Sequence, residues 1–248
     1  MTLEQFFTKN PEVAIAFSGG VDSAYLLYAA TRYAARVKAY YVSTAFQPSF
    51  ELADARRLAN ELGADMQVLH VDVLVSGAVV ENPPDRCYHC KNTLFRQILR
   101  AAESDGFALL LDGTNASDDA GDRPGMRALR ELSVRSPLRE CGLTKAEIRR
   151  LSKEAGLFTW DKPAYACLAT RIRTGEEITL QKLKQTEKAE GFLFGLGFRD
   201  FRVRMVDNTA KLELREADLP LLLENREKIV TELRKDYDSV LLDLEVRK

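Results

Sequence analysis

The stretch at residues 13–23 constrains the fold of this chain more than any other part of the sequence. An apolar run at 13–17 predicts a buried strand, small residues follow from Ser18 to Gly20, and an amphipathic segment at 24–33 predicts a helix. Glycines adopt backbone angles that other residues avoid, so successive N–H groups can face one anion at the positive end of a helix. The stretch therefore predicts a strand, an anion-binding loop and a helix.

This loop differs from the common nucleotide-binding loop G-x-x-x-x-G-K-S/T, because no lysine follows its glycines to reach a γ-phosphate. That difference argues against a kinase or a GTPase. A simple glycine turn between strand and helix is one interpretation. The hexapeptide at 18–23, however, resembles the PP-loop of the ATP pyrophosphatases, which cleave ATP between its α- and β-phosphates and hold the pyrophosphate in this loop. The resemblance implies that Ser18 and Asp22 are catalytic, that Asp22 helps to hold Mg²⁺, and that the ATP-binding residues include Ser18, Gly19, Gly20, Val21, Asp22 and Ser23.

The composition argues against several classes of protein. With 248 residues and a net charge of −1, the chain is long enough for a large core and has no overall basic field to attract nucleic acid or a membrane surface. The residues at 1–9 lack the apolar core of a signal peptide, and no apolar run approaches the roughly 20 residues that span a bilayer. We therefore expect a cytoplasmic protein whose four cysteines are metal ligands or reactive thiols rather than disulfides.

Strand and helix patterns alternate through the first half of the chain. Segments with strand character at 38–42, 66–71 and 107–111 alternate with segments of helical spacing at 50–62 and 91–102. This βαβ rhythm predicts an α/β fold with a parallel sheet covered on both faces, and ligands at the carboxyl ends of its strands. Ser43 follows the second strand at that edge and is a candidate ATP-binding residue, with ordinary turn chemistry as the alternative.

The residues after the fourth predicted strand carry a second ATP-side signature. The stretch 113–115, with Asp118, resembles that signature of the PP-loop family, and residues 123–127 followed by 135–138 resemble its continuation. The resemblance implies the further ATP-binding residues Thr114, Asn115 and Arg127.

The sequence also predicts a division into two domains. A capping box at Thr144 to Glu147 opens a helix that Gly156 stops, so we expect a PP-loop domain over residues 1–156. Helical periodicity then disappears from 158 to 175, and an α-β-β-α-β pattern follows. Residues 157–248 are therefore expected to form a smaller α+β domain that begins with a functional loop.

Three of the four cysteines lie in segments without regular periodicity. Cys87 and Cys90 are expected in a loop just before a helix, and Cys167 in the later loop. The C-x-x-C spacing lets two sulfurs face one metal or cluster, and a helix N-terminus favours thiolates. Structural zinc, with His89 or Cys141 as a fourth ligand, and unligated thiols are two alternatives. An iron-sulfur cluster held by three cysteines leaves one iron without a protein ligand, where sulfide can bind.

Two arginines in the second region alternate at strand spacing. Arg202 and Arg204 flank Val203, so a strand at 201–206 places both guanidinium groups on the same face. Such a pair suits a phosphate or a carboxylate, with a solvated strand face as the alternative. Glu190 and Glu213 are candidate neighbours of this face.

Several of these motifs together resemble the LarE family over nearly the whole chain: the PP-loop, Cys87-x-x-Cys90, Lys162-Pro163, the stretch 166–172 and Arg202-x-Arg204. The resemblance implies ATP-dependent sulfur transfer to pyridinium-3,5-biscarboxylic acid mononucleotide, during synthesis of the nickel-pincer nucleotide cofactor of lactate racemase and related enzymes. A carboxylate is adenylated with release of pyrophosphate, and sulfur then displaces AMP. A sulfide donor and a homo-oligomer, often a hexamer, are also implied.

Family members obtain their sulfur in two ways. In some, the cysteine that matches Cys167 donates its own sulfur and becomes dehydroalanine, whereas members with three cysteines hold a [4Fe-4S] cluster that passes on a sulfide. The presence of Cys87 and Cys90 favours the cluster, with Cys167 as its third ligand and a catalytic residue. Cys141 matches no functional position and is expected to be structural. The implied substrate-binding residues are Thr170, where serine is common, Arg171, Glu190, Arg202, Arg204 and Glu213.

Two other functions remain as alternatives. Several PP-loop enzymes thiolate tRNA beside C-x-x-C motifs, but the charge balance and the lack of a basic, aromatic-interleaved module argue against an RNA substrate. A sensor that binds ATP without turnover would leave the cysteines and the arginine pair without a purpose, and pyrophosphate release distinguishes it from an enzyme.

Overall fold

The computed structural model describes residues 1–118 and 124–247, so Arg123, which begins the continuation of the second ATP-side signature, lies outside the described residues. By its internal contacts the chain forms two compact units. The first consists of Met1–Val73 and Asp85–Ala164, and the second of Leu74–Pro84 with the residues from Tyr165 onward. The early segment joins the second unit through backbone hydrogen bonds, in which Gly175 N–H donates to Asn82 O at 2.9 Å and Ile178 N–H to Val80 O at 2.8 Å.

The described helices and strands follow one another in an order close to the predicted one. The strands are β1 (Glu12–Ala16), β2 (Arg36–Ser43), β3 (Asp65–His70), β4 (Leu110–Leu111), β5 (Arg202–Val206), β6 (Thr209–Glu213) and β7 (Ser239–Leu242). The helices are α1 (Leu3–Lys9), α2 (Val21–Tyr33), α3 (Ser49–Leu62), α4 (Gly77–Val80), α5 (Arg86–Ser104), α6 (Pro124–Glu131), α7 (Pro137–Glu140), α8 (Lys145–Glu154), α9 (Leu180–Gly195), α10 (Leu219–Glu224) and α11 (Arg226–Leu233). No helix in the described ranges is both long and apolar enough to cross a membrane.

The first unit contains a parallel sheet in the order β3-β2-β1-β4, which confirms the predicted α/β class. Alternate residues of β1 face opposite cores. Val13 and Ile15 pack with the apolar faces of α1 and α2, whereas Ala14 packs with Ile98 of α5 on the other side. Because side chains alternate along a strand, this division shows that helices cover both faces of the sheet.

The second unit is built on a smaller sheet in the order β5-β6-β7. Strands β5 and β6 are antiparallel, and β7 runs parallel to β6. Their apolar face packs against α9 through residues such as Leu193, Val203 and Leu212. The second helix of the α-β-β-α-β pattern is predicted from the sequence as one helix at 219–234, and this prediction is wrong, because the structure divides the segment at Asn225 into α10 and α11. Asn225 donates a side-chain hydrogen bond to Leu221 O at 3.0 Å, an alternative to helical pairing that asparagine favours.

Candidate functional site

The predicted anion-binding loop lies between β1 and α2. Gly19 has a φ of +72°, a left-handed conformation, and a Cβ at this position would lie 3.3 Å from Ala55 Cβ. The buried Ser23 closes the loop, since its Oγ accepts from Ser18 N–H at 3.2 Å, lies 3.0 Å from Ser18 Oγ and donates to Gly20 O at 3.2 Å. The serines therefore form a compact turn at the N-terminus of α2, which is the positive end of its dipole.

Asp22 lies in the first turn of α2 with its two carboxylate oxygens in different surroundings. Oδ2 accepts from Lys145 Nζ at 2.6 Å, whereas Oδ1 is buried and has no hydrogen-bond partner among the described residues. Burial raises the pKa of Asp22, and the contact with Lys145 partly opposes that rise. A buried carboxylate oxygen without a protein donor fits Mg²⁺, which prefers oxygen ligands.

The segment after β4 packs directly on this helix terminus. A Cβ on Gly113 would lie 2.8 Å from Ser23 N, so only glycine allows the two backbones to approach this closely. Asp112 accepts from Ser136 Oγ at 2.6 Å and from Thr114 Oγ1 at 2.5 Å. The next residue, Asn115, is also buried. The structure thus brings the second ATP-side signature to the start of α2.

Ser43 and Arg127, also predicted to bind ATP, make none of the contacts described above for the loop at 18–23. Ser43 ends β2 at the carboxyl edge of the sheet, and its carbonyl oxygen accepts from Val71 N–H at 3.0 Å. Arg127 lies on the exposed side of α6, where its guanidinium group stands 3.9 Å from the centre of the Tyr88 ring. Arg127 is therefore beside the cysteine-bearing turn of α5.

The structure adds two lysines that the sequence analysis assigned to no catalytic role. Lys145 contacts Asp22, and Lys162 Nζ contacts Asp54 Oδ2 at 2.7 Å and Gly19 O at 3.5 Å. Arg149 holds the segment that carries Lys162, since it donates to Trp160 O at 2.7 Å and to Lys162 O at 2.8 Å. Two ammonium groups thus flank a PP-loop that has no lysine of its own. Lys145 occurs within the capping-box motif, where it was interpreted only as part of a helix start.

Cys87 and Cys90 lie within α5, and their predicted placement in a preceding loop is wrong. The helix begins at Arg86, directly after Pro84 and Asp85, because proline is tolerated just before a first helical turn but not inside a helix. Residues three apart share one face of a helix, so both thiols lie on the same side of the first turns. Cys87 is exposed and its Sγ accepts from Arg86 Nη2 at 3.6 Å, whereas Cys90 is partly buried.

Cys167 belongs to the second unit, where it caps a short 3-10 turn at Leu168–Arg171 and is partly buried. Its carbonyl oxygen accepts from Thr170 Oγ1 at 2.9 Å. Cys87 and Cys90 belong to the first unit. Among the residues described, neither unit contains a ready group of three histidine, cysteine, aspartate or glutamate side chains that could hold a metal ion.

Arg171 and Glu190, both predicted to bind substrate, form a buried ion pair, with about 1 % of each residue exposed. The pair is bidentate, with Nε–Oε1 at 2.7 Å and Nη2–Oε2 at 3.1 Å, and Glu190 Oε1 also accepts from Val203 N–H at 3.0 Å. Arg171 Nη1 donates to Ala166 O and to Thr170 Oγ1. These contacts fix the backbone on either side of Cys167, so the pair positions that turn.

We expect Glu190→Gln to destabilise the protein by about 3–5 kcal/mol, because it leaves the Arg171 charge buried without its partner. Urea unfolding measures the loss. The matched control is Glu227→Gln, which removes one partner of the exposed pair with Arg226 and should change stability by less than about 1 kcal/mol. Equal stability of the two variants would contradict a structural role for the buried pair.

Arg202 and Arg204 share one face of β5, as predicted, while Val203 and Met205 are buried on the other. Arg204 Nε donates to Glu213 Oε1 and its Nη1 donates to Thr170 O, each at 2.5 Å. The structure thus brings Thr170, Arg204 and Glu213 together. Burial lowers the pKa of Arg202, and neighbouring arginines lower it further. An anion on this face would relieve that repulsion.

The chain is similar to proteins of known families. The asparagine synthase family matches residues 5–114. Pyridinium-3,5-bisthiocarboxylic acid mononucleotide synthase of Lactiplantibacillus plantarum is 33% identical over 94% of this chain and 85% of that protein. An uncharacterized protein of Synechocystis is 38% identical over 86% of this chain and 80% of its own length. The tRNA-specific 2-thiouridylase MnmA of Thermotoga petrophila is 26% identical, over 59% of this chain and 52% of that enzyme.

The parallel sheet, the closed loop at the start of α2 and these relatives define an ATP-dependent sulfurtransferase of the PP-loop superfamily. The mononucleotide synthase matches 94% of this chain, whereas the thiouridylase matches 59%. This difference distinguishes between the two families of sulfurtransferase. The chain belongs to the LarE family.

Proposed function

We propose that the enzyme adenylates a carboxylate of pyridinium-3,5-biscarboxylic acid mononucleotide and converts it to a thiocarboxylate, a step in nickel-pincer nucleotide synthesis. The observation that carries the proposal is the geometry around Asp22, where a closed anion loop adjoins a buried carboxylate oxygen without a donor among the described residues. The relative from Lactiplantibacillus plantarum supports the choice of substrate, because its name denotes synthesis of the corresponding bisthiocarboxylic acid.

Activation by ATP follows from the chemistry of the carboxylate. Its oxygen is a poor leaving group, whereas AMP leaves readily, so adenylation has to precede attack by sulfur. Residues 18–23 hold the departing pyrophosphate through backbone N–H groups and serine hydroxyls. Asp22 would hold Mg²⁺, which when bound would neutralise charge on the phosphates. Lys145 and Lys162 lie close enough to this loop to add positive charge as pyrophosphate leaves.

The sulfur source proposed here is a [4Fe-4S] cluster held by Cys87, Cys90 and Cys167. The donor set fits such a group, because thiolates are the usual protein ligands of iron-sulfur clusters and two of these three lie on one face of α5. When bound, the cluster would supply a sulfide from an external donor at the iron without a protein ligand. The turn that carries Cys167 is held by Thr170 and by the buried Arg171–Glu190 pair. The alternative is that Cys167 donates its own sulfur.

The phosphate of the substrate is assigned to the arginine face of β5. Arg202 and Arg204 provide the positive charge. The Arg204 guanidinium group is oriented by two hydrogen bonds, which it donates to the Glu213 carboxylate and to the carbonyl oxygen of Thr170. We also propose, from the family resemblance, that the enzyme assembles as a homo-oligomer, a hexamer, and we propose that it acts in the cytoplasm.

Replacing Arg202 and Arg204 together with alanine is expected to weaken substrate binding by roughly 100-fold or more, since hydrogen bonds to charged groups contribute about 1.5–3 kcal/mol each. ATP binding should change little, because the PP-loop is intact. Calorimetry with each ligand separates the two effects.

The control for this double variant replaces Arg226 and Arg234, two exposed arginines of the same unit, with alanine. It should bind both ligands normally. An equal loss of ATP and substrate binding in the Arg202/Arg204 variant would point to damage to the fold and contradict the assignment.

A further inference from the structure

The polar face of the second unit's sheet carries more arginine charge than its carboxylates neutralise. Arg202 and Glu213 are register partners across β5 and β6. The Glu213 carboxylate, however, is engaged by two other arginines, with Arg204 Nε at 2.5 Å from Oε1 and Arg247 Nη1 at 3.9 Å from Oε2. Arg202 has no hydrogen bond or ion pair with any residue in the described part of the chain.

Arg247, which follows β7, is held against this face at several atoms. Its backbone N–H donates to Leu214 O at 2.9 Å, and its Nη2 donates to Asp200 Oδ1 at 2.9 Å. These contacts leave one donor unused, since the Nε–H is buried and has no acceptor within 1–118 and 124–247. Because protein atoms enclose the Nε–H, a ligand on this face meets the charge of Arg247 through the 18% of its side chain that is exposed.

The charges around Arg202 support the same conclusion. Burial lowers its pKa most, and among the charged neighbours Arg247 lowers it most, followed by Arg171 and Arg204, while Glu213 opposes them. The charge of Arg171 is already neutralised by the buried Glu190. Arg204 and Arg247 are likewise paired, with Glu213 and Asp200. Arg202 is therefore the arginine of this face that no carboxylate pairs within the described residues, and a bound anion would neutralise its charge.

We propose that Arg247 is a third residue of the phosphate site, acting with Arg202 and Arg204 and setting the preference for a phosphorylated ligand; this inference rests on the proposed function. A phosphate monoester carries about two charges and three terminal oxygens, enough to accept from several guanidinium groups, whereas one guanidinium fork satisfies a carboxylate. The structure thus favours a mononucleotide over its dephosphorylated nucleoside.

The test measures binding of the mononucleotide, of its dephosphorylated nucleoside and of ATP by calorimetry. Arg247→Ala should weaken mononucleotide binding at least tenfold and leave nucleoside and ATP binding unchanged. Arg247→Lys should give an intermediate loss, because it keeps a charge near Asp200 but lacks the guanidinium fork that binds a phosphate. Arg226→Ala, which removes an exposed arginine of α11, serves as the control and should bind all three ligands normally.

Native-like mononucleotide binding by both Arg247 variants, with binding lost in the Arg202/Arg204 variant, would overturn this inference and leave the proposed function intact. Equal losses for mononucleotide and nucleoside would also overturn it, since Arg247 would then act on the fold. If the native enzyme does not bind the mononucleotide at all, the proposed function falls, and this inference with it.

Discussion

Replacing Asp22 with asparagine is expected to slow pyrophosphate release by roughly 10²–10³-fold, the range seen when one electrostatic contact to a transition state is removed. The amide keeps the shape of the side chain but loses the negative charge that would hold Mg²⁺ at Oδ1 and pair with Lys145 at Oδ2. Because the closed loop depends on Ser18, Gly20 and Ser23, the variant should fold normally.

A coupled assay for pyrophosphate measures this effect. Asp65→Asn is the control, since it also neutralises an aspartate of the first unit, but one that is exposed and lies 3.8 Å from Lys38. It should retain the native rate. Any cluster spectrum should survive in both variants, and an unchanged rate for Asp22→Asn would remove Asp22 from the mechanism.

The second large effect is expected from the cysteines. Substituting Cys87, Cys90 or Cys167 singly with alanine should abolish both cluster absorption and sulfur transfer, because two thiolates hold a cubane poorly. Anaerobic purification with iron, sulfide and zinc analysis, followed by a single-turnover assay, measures both. Zinc without iron would contradict the cluster. Cys141→Ala is the matched control, since burial raises the pKa of this partly buried thiol and no role is assigned to it.

Whole-protein mass spectrometry after turnover distinguishes the two sulfur sources independently. A cysteine that gives up its sulfur loses hydrogen sulfide, about 34 Da, whereas transfer from a cluster leaves the polypeptide mass unchanged. We expect an unchanged mass. A dehydroalanine at position 167, with one turnover retained by Cys87→Ala, would establish the sacrificial route and leave the sulfurtransferase assignment in place.

Much of the fold was predictable because local patterns dictate it. The apolar run at 13–17, the glycines after it and the amphipathic segment that follows predicted the strand, loop and helix, and the structure forms all three. The capping box was also predictable, since Thr144 Oγ1 accepts from Glu147 N–H and the Glu147 carboxylate accepts from Thr144 N–H. Cys87 and Cys90 were misplaced because the first turns of α5 lack the apolar spacing by which the sequence predicted its later part.

The pairings within the site that escaped prediction depend on contacts between distant residues. Lys145 and Asp22 are 123 positions apart, and helix or strand periodicity cannot predict a contact between residues so distant in sequence. Arg171 and Glu190 carried charges that favour the surface, yet each is buried because the other neutralises it. The proposed role of Arg247 likewise depends on its position beside Glu213. That position exists only because the residues after β7 pack against the end of β6 in the folded chain.

The most direct measurement of the central claim is the identity of the products of ATP cleavage, followed by phosphorus NMR with and without the carboxylate substrate. We expect AMP and pyrophosphate in equal amounts, formed only when the substrate is present, because the loop at 18–23 holds a diphosphate leaving group. Formation of ADP and phosphate, or no cleavage at all in the presence of substrate, would contradict it.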